Sequence, residues 1–193
     1  MRGLTKRAVV LPMAALSAAA LVAVAGGVAQ ADVSAGTVTL TVNTSFLAQL
    51  AKSGVVLLPG DYSSVTYNSS GTVAVTYAAT GGDASLVFSA GTVTASGGIL
   101  GFSLNGHTVD LGSLLFDLTD AQFDGATSTS GEVPLVDLAG SQAGLISGTT
   151  QTYTASDLVI DPAGAALLDS ALHTTAFYGG QDVGSFAASW TAS

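Results

Sequence analysis

The sequence contains no cysteine and very little positive charge. The absence of cysteine excludes disulfide bridges, thiol nucleophiles, cysteine-ligated zinc and iron–sulfur clusters. Only 4 Lys and Arg residues stand against 13 Asp and Glu residues, so the formal net charge is −9. Nucleic acids and anionic lipid headgroups are bound by clustered cations. The composition therefore excludes a nucleic-acid partner and argues against binding to an acidic membrane surface.

The few cations that exist are concentrated at the N-terminus. Three of the four lie in the first seven residues: Arg2, Lys6 and Arg7. An apolar run from Ala8 to about Ala25 follows, and Ala29-Gln30-Ala31 has the small-x-small pattern of a cleavage site. A basic start, an apolar stretch and a small-residue exit are the marks of a secretory signal. We expect residues 1–31 to be a cleavable signal peptide, with an uncleaved membrane anchor as the alternative.

Residues 32–193 have the length of a single domain with its own core. They contain no second apolar run long enough to cross a bilayer, so no membrane insertion is expected after signal cleavage. Lys52 is the one cation left in this part of the chain. We expect a secreted protein, either extracellular or associated with the cell wall.

Apolar and polar residues alternate through most of residues 32–193, with glycine-rich punctuation between the runs. Period-two alternation in short β-branched or aromatic runs indicates antiparallel strands with one buried face. Asn105-Gly106 is a typical two-residue hairpin turn. The sequence predicts a mostly β protein, an antiparallel β-sandwich or barrel-like domain. The predicted strands include residues 37–42, 73–77, 85–88, 101–104 and 186–191.

Two short helices interrupt the strands. Residues 44–53 place apolar side chains on one face, with Asn43 or Thr44 as N-cap and Gly54 as the stop. Residues 161–172 begin with Asp161, which is able to cap free amides, and with Pro162 at a position that needs no N–H. The sequence thus predicts two α-helices within the β domain.

The sequence offers little catalytic machinery. It contains no Gly-x-Ser-x-Gly elbow, no phosphate-binding Gly-Lys-Thr loop and no His-Glu-x-x-His zinc helix. It has 2 histidines, His107 and His173. A Ser–His–Asp triad assembled in space stays open as a remote alternative. We expect a protein that is not an enzyme.

Three aspartates close in sequence raise the possibility of a calcium site. They are Asp117, Asp120 and Asp124. Their spacing matches no EF-hand loop, and the bidentate glutamate of such loops is missing. The neighbouring Phe116 and Phe123 have the character of strand residues. We therefore interpret the aspartates as solvent-facing residues that flank a turn.

Two segments resemble the HtaA domain of secreted and cell-surface actinobacterial haem-uptake proteins. One is Gly101-Phe102-Ser103-Leu104-Asn105-Gly106-His107, followed by an alternating strand. The other runs from the Ala-Ala-Leu core at residues 165–167 to Phe177-Tyr178-Gly179-Gly180. Their order and rough spacing agree with those of the family, and the resemblance covers residues 38–190.

The resemblance implies a haem site formed by two tyrosines and a histidine. Phenolate oxygen suits ferric iron, and an imidazole bonded to it helps to hold that charged form. His107 corresponds to the family histidine and Tyr178 to the later, pocket-lining tyrosine. Gln49 stands where the family has its ligand tyrosine, so Tyr62 or Tyr178 is left as the alternative ligand. The tryptophan that usually opens the family domain is also missing near Gly36.

These observations predict a secreted, non-catalytic binding or interaction module that resembles HtaA domains. Haem is the candidate cofactor, and His107 and Tyr178 are the candidate cofactor-binding residues. The expected partners are haem or a cell-surface haem-uptake protein. The alternative is a structural or surface-associated extracellular protein that has kept the fold and lost the haem site.

Overall fold

The fold is a curled, barrel-like antiparallel sheet with two short helices, which confirms the predicted fold class. It is described by a computed structural model that covers residues 32–60, 63–95 and 100–193. The predicted signal peptide, residues 1–31, lies outside the described residues, and so does Tyr62. None of the described helices is long and apolar enough to cross a membrane.

Twelve strands and two helices are arranged along the described part of the chain. They are β1 (Val33–Val42), α1 (Thr44–Ser53), β2 (Val56–Pro59), β3 (Ser63–Tyr67), β4 (Val73–Ala79), β5 (Gly81–Gly82), β6 (Thr92–Ala95), β7 (Leu100–Leu104), β8 (His107–Asp117), β9 (Gln122–Ala126), β10 (Glu132–Ser147), β11 (Thr150–Ile160), α2 (Pro162–Leu172) and β12 (Asp182–Ala192).

The strands form one hydrogen-bonded path in the order β2-β7-β8-β9-β10-β11-β12-β1-β4-β3. Every pairing along it is antiparallel. Strand β6 pairs with β8 on one side and with β5 on the other, and β5 directly follows β4. The sheet therefore curls back toward β4, the neighbour of its β3 edge, which produces the barrel-like shape.

The curvature is concentrated where β8 changes partners. Its first half, from His107 to Leu111, pairs with β7, and its second half pairs with β6 and β9. Between the halves the register shifts at Gly112/Leu115, and Ser113 has a φ of 50°. An extra residue in one strand bends that strand and increases its twist. The bulge turns the β7–β8 hairpin away from the rest of β8.

The core is built almost entirely from apolar side chains, as the scarcity of cations requires. Trp190 is 1% exposed, and its indole Nε1 donates to the Ala84 carbonyl at 3.1 Å. The Phe116 ring lies between the rings of Phe186, at 4.8 Å, and Tyr153, at 5.3 Å. Such tilted aromatic pairs stabilise a core beyond their buried area.

Helix α2 lies against β10 at a close approach that only glycine permits. A Cβ on Gly164 would lie 2.6 Å from the Leu135 carbonyl oxygen. The Asp161 amide, one residue before the helix, donates to that same carbonyl at 3.0 Å. Leu168 and Leu172 then point into the core with 5% and 1% exposure. The start of α2 is thereby fixed to the sheet.

The predicted strand over residues 85–88 is wrong, because these residues form a turn. Ser85 and Ala90 form an isolated antiparallel β-bridge, so the chain reverses direction within six residues. The Leu86 amide donates to the Gln151 side-chain oxygen at 2.6 Å, which fastens the turn to β11. Val87 and Phe88 are left 68% and 56% exposed. These two consecutive apolar side chains therefore both face solvent, unlike those of a strand with one buried face.

Candidate functional site

Four segments meet at the end of the barrel that carries both helices: α1, the β7–β8 hairpin, α2 and residues 174–181. Phe177 joins them. Its ring centroid lies 6.5 Å from that of Phe46 on α1 and 5.8 Å from that of Phe102 on β7. The Phe177 amide also donates to the Asp169 carboxylate on α2 at 3.1 Å. With 4% exposure, Phe177 forms the apolar floor of this end.

The two histidines of the chain come together at this end. His107 is the first residue of β8, immediately after the Asn105-Gly106 turn, where both residues have positive φ (50° and 87°). His173 ends α2 in the left-handed conformation, with φ 52° and ψ 49°. The two ring centroids are 4.5 Å apart, and the ring planes are inclined by 63°. Both side chains are exposed, so the imidazoles form a solvent-accessible pair.

Sequence reasoning selected His107 and missed the contribution of His173. One local signal for His173 exists, because a histidine stands where a helix end normally has glycine. Nothing in the sequence indicates that the end of α2 reaches the β7–β8 turn. That proximity depends on the curl of the sheet, which is a property of the whole fold.

Tyr178, the other predicted site residue, lies on the segment that follows α2. Its side chain is 57% exposed, and its amide donates to the Gln181 Oε1 at 3.3 Å. Within the part of the chain that the structure describes, no hydrogen bond or ring contact joins Tyr178 to His107. Tyr178 therefore shares the same end of the barrel through its neighbour Phe177 rather than through contact with the histidines.

Gln49 has a structural partner in the fold. Its side-chain oxygen accepts a hydrogen bond from the Gln181 Nε2 at 2.6 Å. Gln181 is 1% exposed, and its backbone carbonyl accepts from the Ile160 amide at 2.9 Å. A buried amide needs such partners, because an unpaired polar group is costly in the interior. Gln49 thus ties α1 to the segment that carries Tyr178.

Two spaces differ sharply in character near this end. The interior cavity measures about 50 Å³ and is lined by apolar side chains, among them Phe46, Phe102 and Leu168. A second space, a groove of about 450 Å³, runs between β8, residues 127–129 and α2. It is lined partly by polar side chains, including Thr108, Asp110 and Ser170. Ligand pockets usually measure about 300–1,000 Å³, so of these two spaces it is the outer groove that has room for an organic ligand.

The charges around this end are predominantly negative. Lys52, in the last turn of α1, is the one cation among residues 32–193. Asp110 lies in the groove beside α2. A ligand with anionic groups finds a single lysine as counter-charge in this part of the chain, whereas a cation is attracted by the whole surface.

Of the three aspartates near the β8–β9 turn, two flank the turn as expected and one does not. The Asp117 carboxylate accepts from the amides of Thr119 (2.7 Å) and Asp120 (3.2 Å), which closes the turn. Asp124 is 7% exposed instead of solvent-facing, and its Oδ1 has no hydrogen-bond partner. Burial, reinforced by the nearby acidic residues Glu132, Asp117, Asp120 and Asp161, raises the pKa of Asp124 to about 6.

These acidic residues do not form a metal centre. Among the described residues, no three His, Asp or Glu side chains are grouped so that they share a metal ion. Asp124 lies near the start of α2, since Asp161 is one of the charges acting on it. The histidine pair lies at the other end of this 11-residue helix, which is about 16 Å long. The two features are therefore separate.

The fold and the site define an antiparallel, barrel-like β domain with an exposed histidine pair at its helical end. No protein-family model matches this chain, and no curated protein matches it.

Proposed function

We propose that this chain is a secreted, non-catalytic binding module similar to HtaA domains, with ferric haem as its ligand. The observation that carries the proposal is the exposed pair His107 and His173, which offers imidazole nitrogen beside the aromatic segment of Tyr178. Imidazole is a common axial ligand of haem iron. Haem, when bound, would supply a ferric ion that accepts such a donor.

In the proposed site, the residues of this end have different roles. Gln49 is committed to Gln181, and a neutral amide is a poor donor to ferric iron. His107 would therefore hold the iron, with the His173 imidazole at its side. Tyr178 is 57% exposed and offers a ring to a planar ligand. Because the interior cavity is only about 50 Å³, a porphyrin would lie on the outside of this end and stay partly in water.

A titration with hemin tests the proposal. We expect the full chain to shift the Soret band of hemin saturably at micromolar concentration, and His107→Ala to abolish the shift. Tyr178→Ala should weaken binding, whereas Phe88→Ala is the matched control, because Phe88 has nearly the same exposure (56%) and lies in the turn fastened to β11. An unchanged spectrum with the parent chain would contradict haem binding.

A second function has its own support: a structural or surface-associated extracellular domain that has lost its ligand. The hydrogen bond between Gln49 and Gln181 favours it, because the side chain at the family's ligand position stabilises the fold instead. Gln49→Tyr separates the two functions. If hemin binds only after this substitution, the chain keeps the architecture of the site without its function.

Secretion is part of the same proposal and has its own test. It is supported by the basic start, the apolar run and the Ala29-Gln30-Ala31 exit. We expect the exported protein to begin at Asp32. Sequencing the N-terminus of protein recovered from the culture medium and from the cell wall would show whether cleavage occurs there and where the product resides.

A further inference from the structure

The histidine pair has a geometry that haem binding does not require. A haem axial ligand needs one imidazole, whereas this chain holds two, 4.5 Å apart, on separate elements. We infer that His107 and His173 form a two-histidine site for a divalent transition-metal ion, with Cu(II) preferred. The inference goes beyond the proposed function and rests on the pair alone.

The separation of the rings is short enough for one metal ion to contact both imidazoles. With a metal–nitrogen bond of about 2.0 Å, the metal lies about 3.2 Å from each imidazole centroid. Two such ligands at 90° place their centroids about 4.5 Å apart, and at the tetrahedral angle about 5.2 Å apart. The observed separation of 4.5 Å between the ring centroids is compatible with the right angle. Tetragonal geometry with nitrogen and oxygen ligands is that of Cu(II) and Ni(II), whereas zinc prefers the tetrahedron.

The identity of the ligands points in the same direction. Imidazole suits Cu(II), Ni(II) and Zn(II), and for a given nitrogen site the affinity rises to a maximum at Cu(II). In the described residues no third His, Asp or Glu joins the pair, so water would complete the coordination. Both rings are exposed, which lets a hydrated ion reach them without opening the fold.

The electrostatics of the chain favour a cation and disfavour an anion. The net charge is −9, and residues 32–193 hold a single lysine. A surplus of carboxylates raises the local concentration of divalent ions. Asp110 lies in the groove beside the pair, whose lining begins at Thr108, one residue after His107, and at Ala171, two residues before His173.

The backbone at His173 adds an independent observation. Its φ of 52° is left-handed, a conformation that glycine adopts most easily at a helix end. Keeping an L side chain there has an energetic cost, and such strained residues cluster at functional sites. The residue in this conformation carries an imidazole in contact with that of His107, which glycine would lack.

Isothermal titration of the full chain, without an added histidine tag, tests the site. We expect one Cu(II) per chain, weaker Ni(II) and Zn(II) binding, and no comparable Ca(II) binding. His107→Asn and His173→Asn should each lower the Cu(II) affinity roughly tenfold or more. Asparagine is chosen at position 173 because it tolerates left-handed backbone. The electron paramagnetic resonance spectrum of the Cu(II) complex should show hyperfine coupling to two imidazole nitrogens.

Two results would overturn the inference: equal Cu(II) affinity in the parent chain and in the double variant, or coupling to fewer than two imidazoles. Circular dichroism of each variant checks that the fold is intact. Hemin titration of the same proteins keeps the two proposals apart. If His173→Asn loses Cu(II) binding but still binds hemin, the metal site is distinct from the haem site. If the parent chain does not bind hemin at all, the Cu(II) result still holds.

Discussion

The two helices begin alike and end differently. Each starts with a side chain that caps a free amide: Asn43 accepts from the Phe46 amide at 2.7 Å, and Asp161 from the Ala163 amide at 2.6 Å. Each ends in a left-handed residue. In α1 that residue is Gly54, with φ 73°, and in α2 it is His173, with φ 52°.

Under our proposal, this difference separates a structural helix end from one that contributes a metal ligand. Glycine adopts left-handed backbone without cost, so Gly54 ends α1 in the most stable way. Histidine in the same conformation is less stable by roughly 1 kcal/mol or more. What α2 gains is an imidazole 4.5 Å from His107. In the proposed metal site, the binding role of this end therefore belongs to α2 rather than to α1.

The largest expected effect concerns the residue that holds the two helices at one end. Phe177→Ala removes a buried ring that contacts Phe46 and Phe102. We expect the free energy of unfolding to fall by about 3–5 kcal/mol, as for other buried phenylalanines. Urea unfolding measures this change. Phe88→Ala, at an exposed phenylalanine, should change stability by less than about 0.5 kcal/mol, and equal losses would show that Phe177 does not connect the helices.

The caps of the two helices are alike, but the start of α2 lies near a group of acidic residues that includes Asp124. The pKa of Asp124 is raised to about 6 from an ordinary value of 3.8, with Asp161 among the causes. Between these pH values the folded state binds more protons than the unfolded state, so Asp124 lowers stability as pH rises from about 4 to above 6.

Asp124→Asn removes this charge and should stabilise the protein at pH 7.5 by at most about 3 kcal/mol. The gain should shrink through pH 6 and vanish below about pH 4. Urea unfolding of both proteins across this range gives the difference. Asp120→Asn is the control, because Asp120 is exposed at the turn and should give a much smaller dependence. A gain that does not vary with pH would contradict the assigned cause.

Placing a histidine at the end of α1 tests how much stability a left-handed histidine costs at the end of a helix. A Cβ at Gly54 would meet the Leu104 Cδ1 at 3.4 Å, an ordinary contact, so the expected loss is due to the backbone. Gly54→His should lower the free energy of unfolding by about 1–2 kcal/mol. Gly54→Asn should lose less. Thermal or urea unfolding decides, and an unchanged stability would mean that left-handed backbone is not costly here.

The smallest effect is expected at the end of α2. His173→Gly should raise the free energy of unfolding by about 1 kcal/mol while it removes one imidazole of the pair. The measurement is urea unfolding in the presence of a metal chelator. A destabilised variant would instead indicate that the ring contact with His107 stabilises the fold.

Local chemistry made much of the fold predictable from the sequence. Asn43, Gly54, Asp161 and Pro162 bound the helices where their capping preferences indicate. The Asn105-Gly106 turn forms with positive φ at both residues. Most of the strands that the apolar–polar alternation predicted are present, because one face of each is buried.

The site was predictable only in part, because its contacts join distant segments. His107 was selected from a resemblance, but its pairing with His173 depends on the bulge in β8 and on the position of α2. The hydrogen bond between Gln49 and Gln181 spans most of the chain. The buried position of Asp124 depends on its pairing opposite Leu115 and Pro134. No local pattern encodes these three relations.

Thermal unfolding of the parent chain and of His173→Gly, without and with excess Cu(II), tests most directly whether the end of α2 is a binding site. Without metal, the glycine variant should melt about 2–4 °C higher than the parent. A ligand at one hundred times its dissociation constant stabilises the folded state by about 2.7 kcal/mol, so Cu(II) should reverse this order. If the parent does not overtake the variant when Cu(II) is added, the histidine at the end of α2 is not there to bind a metal.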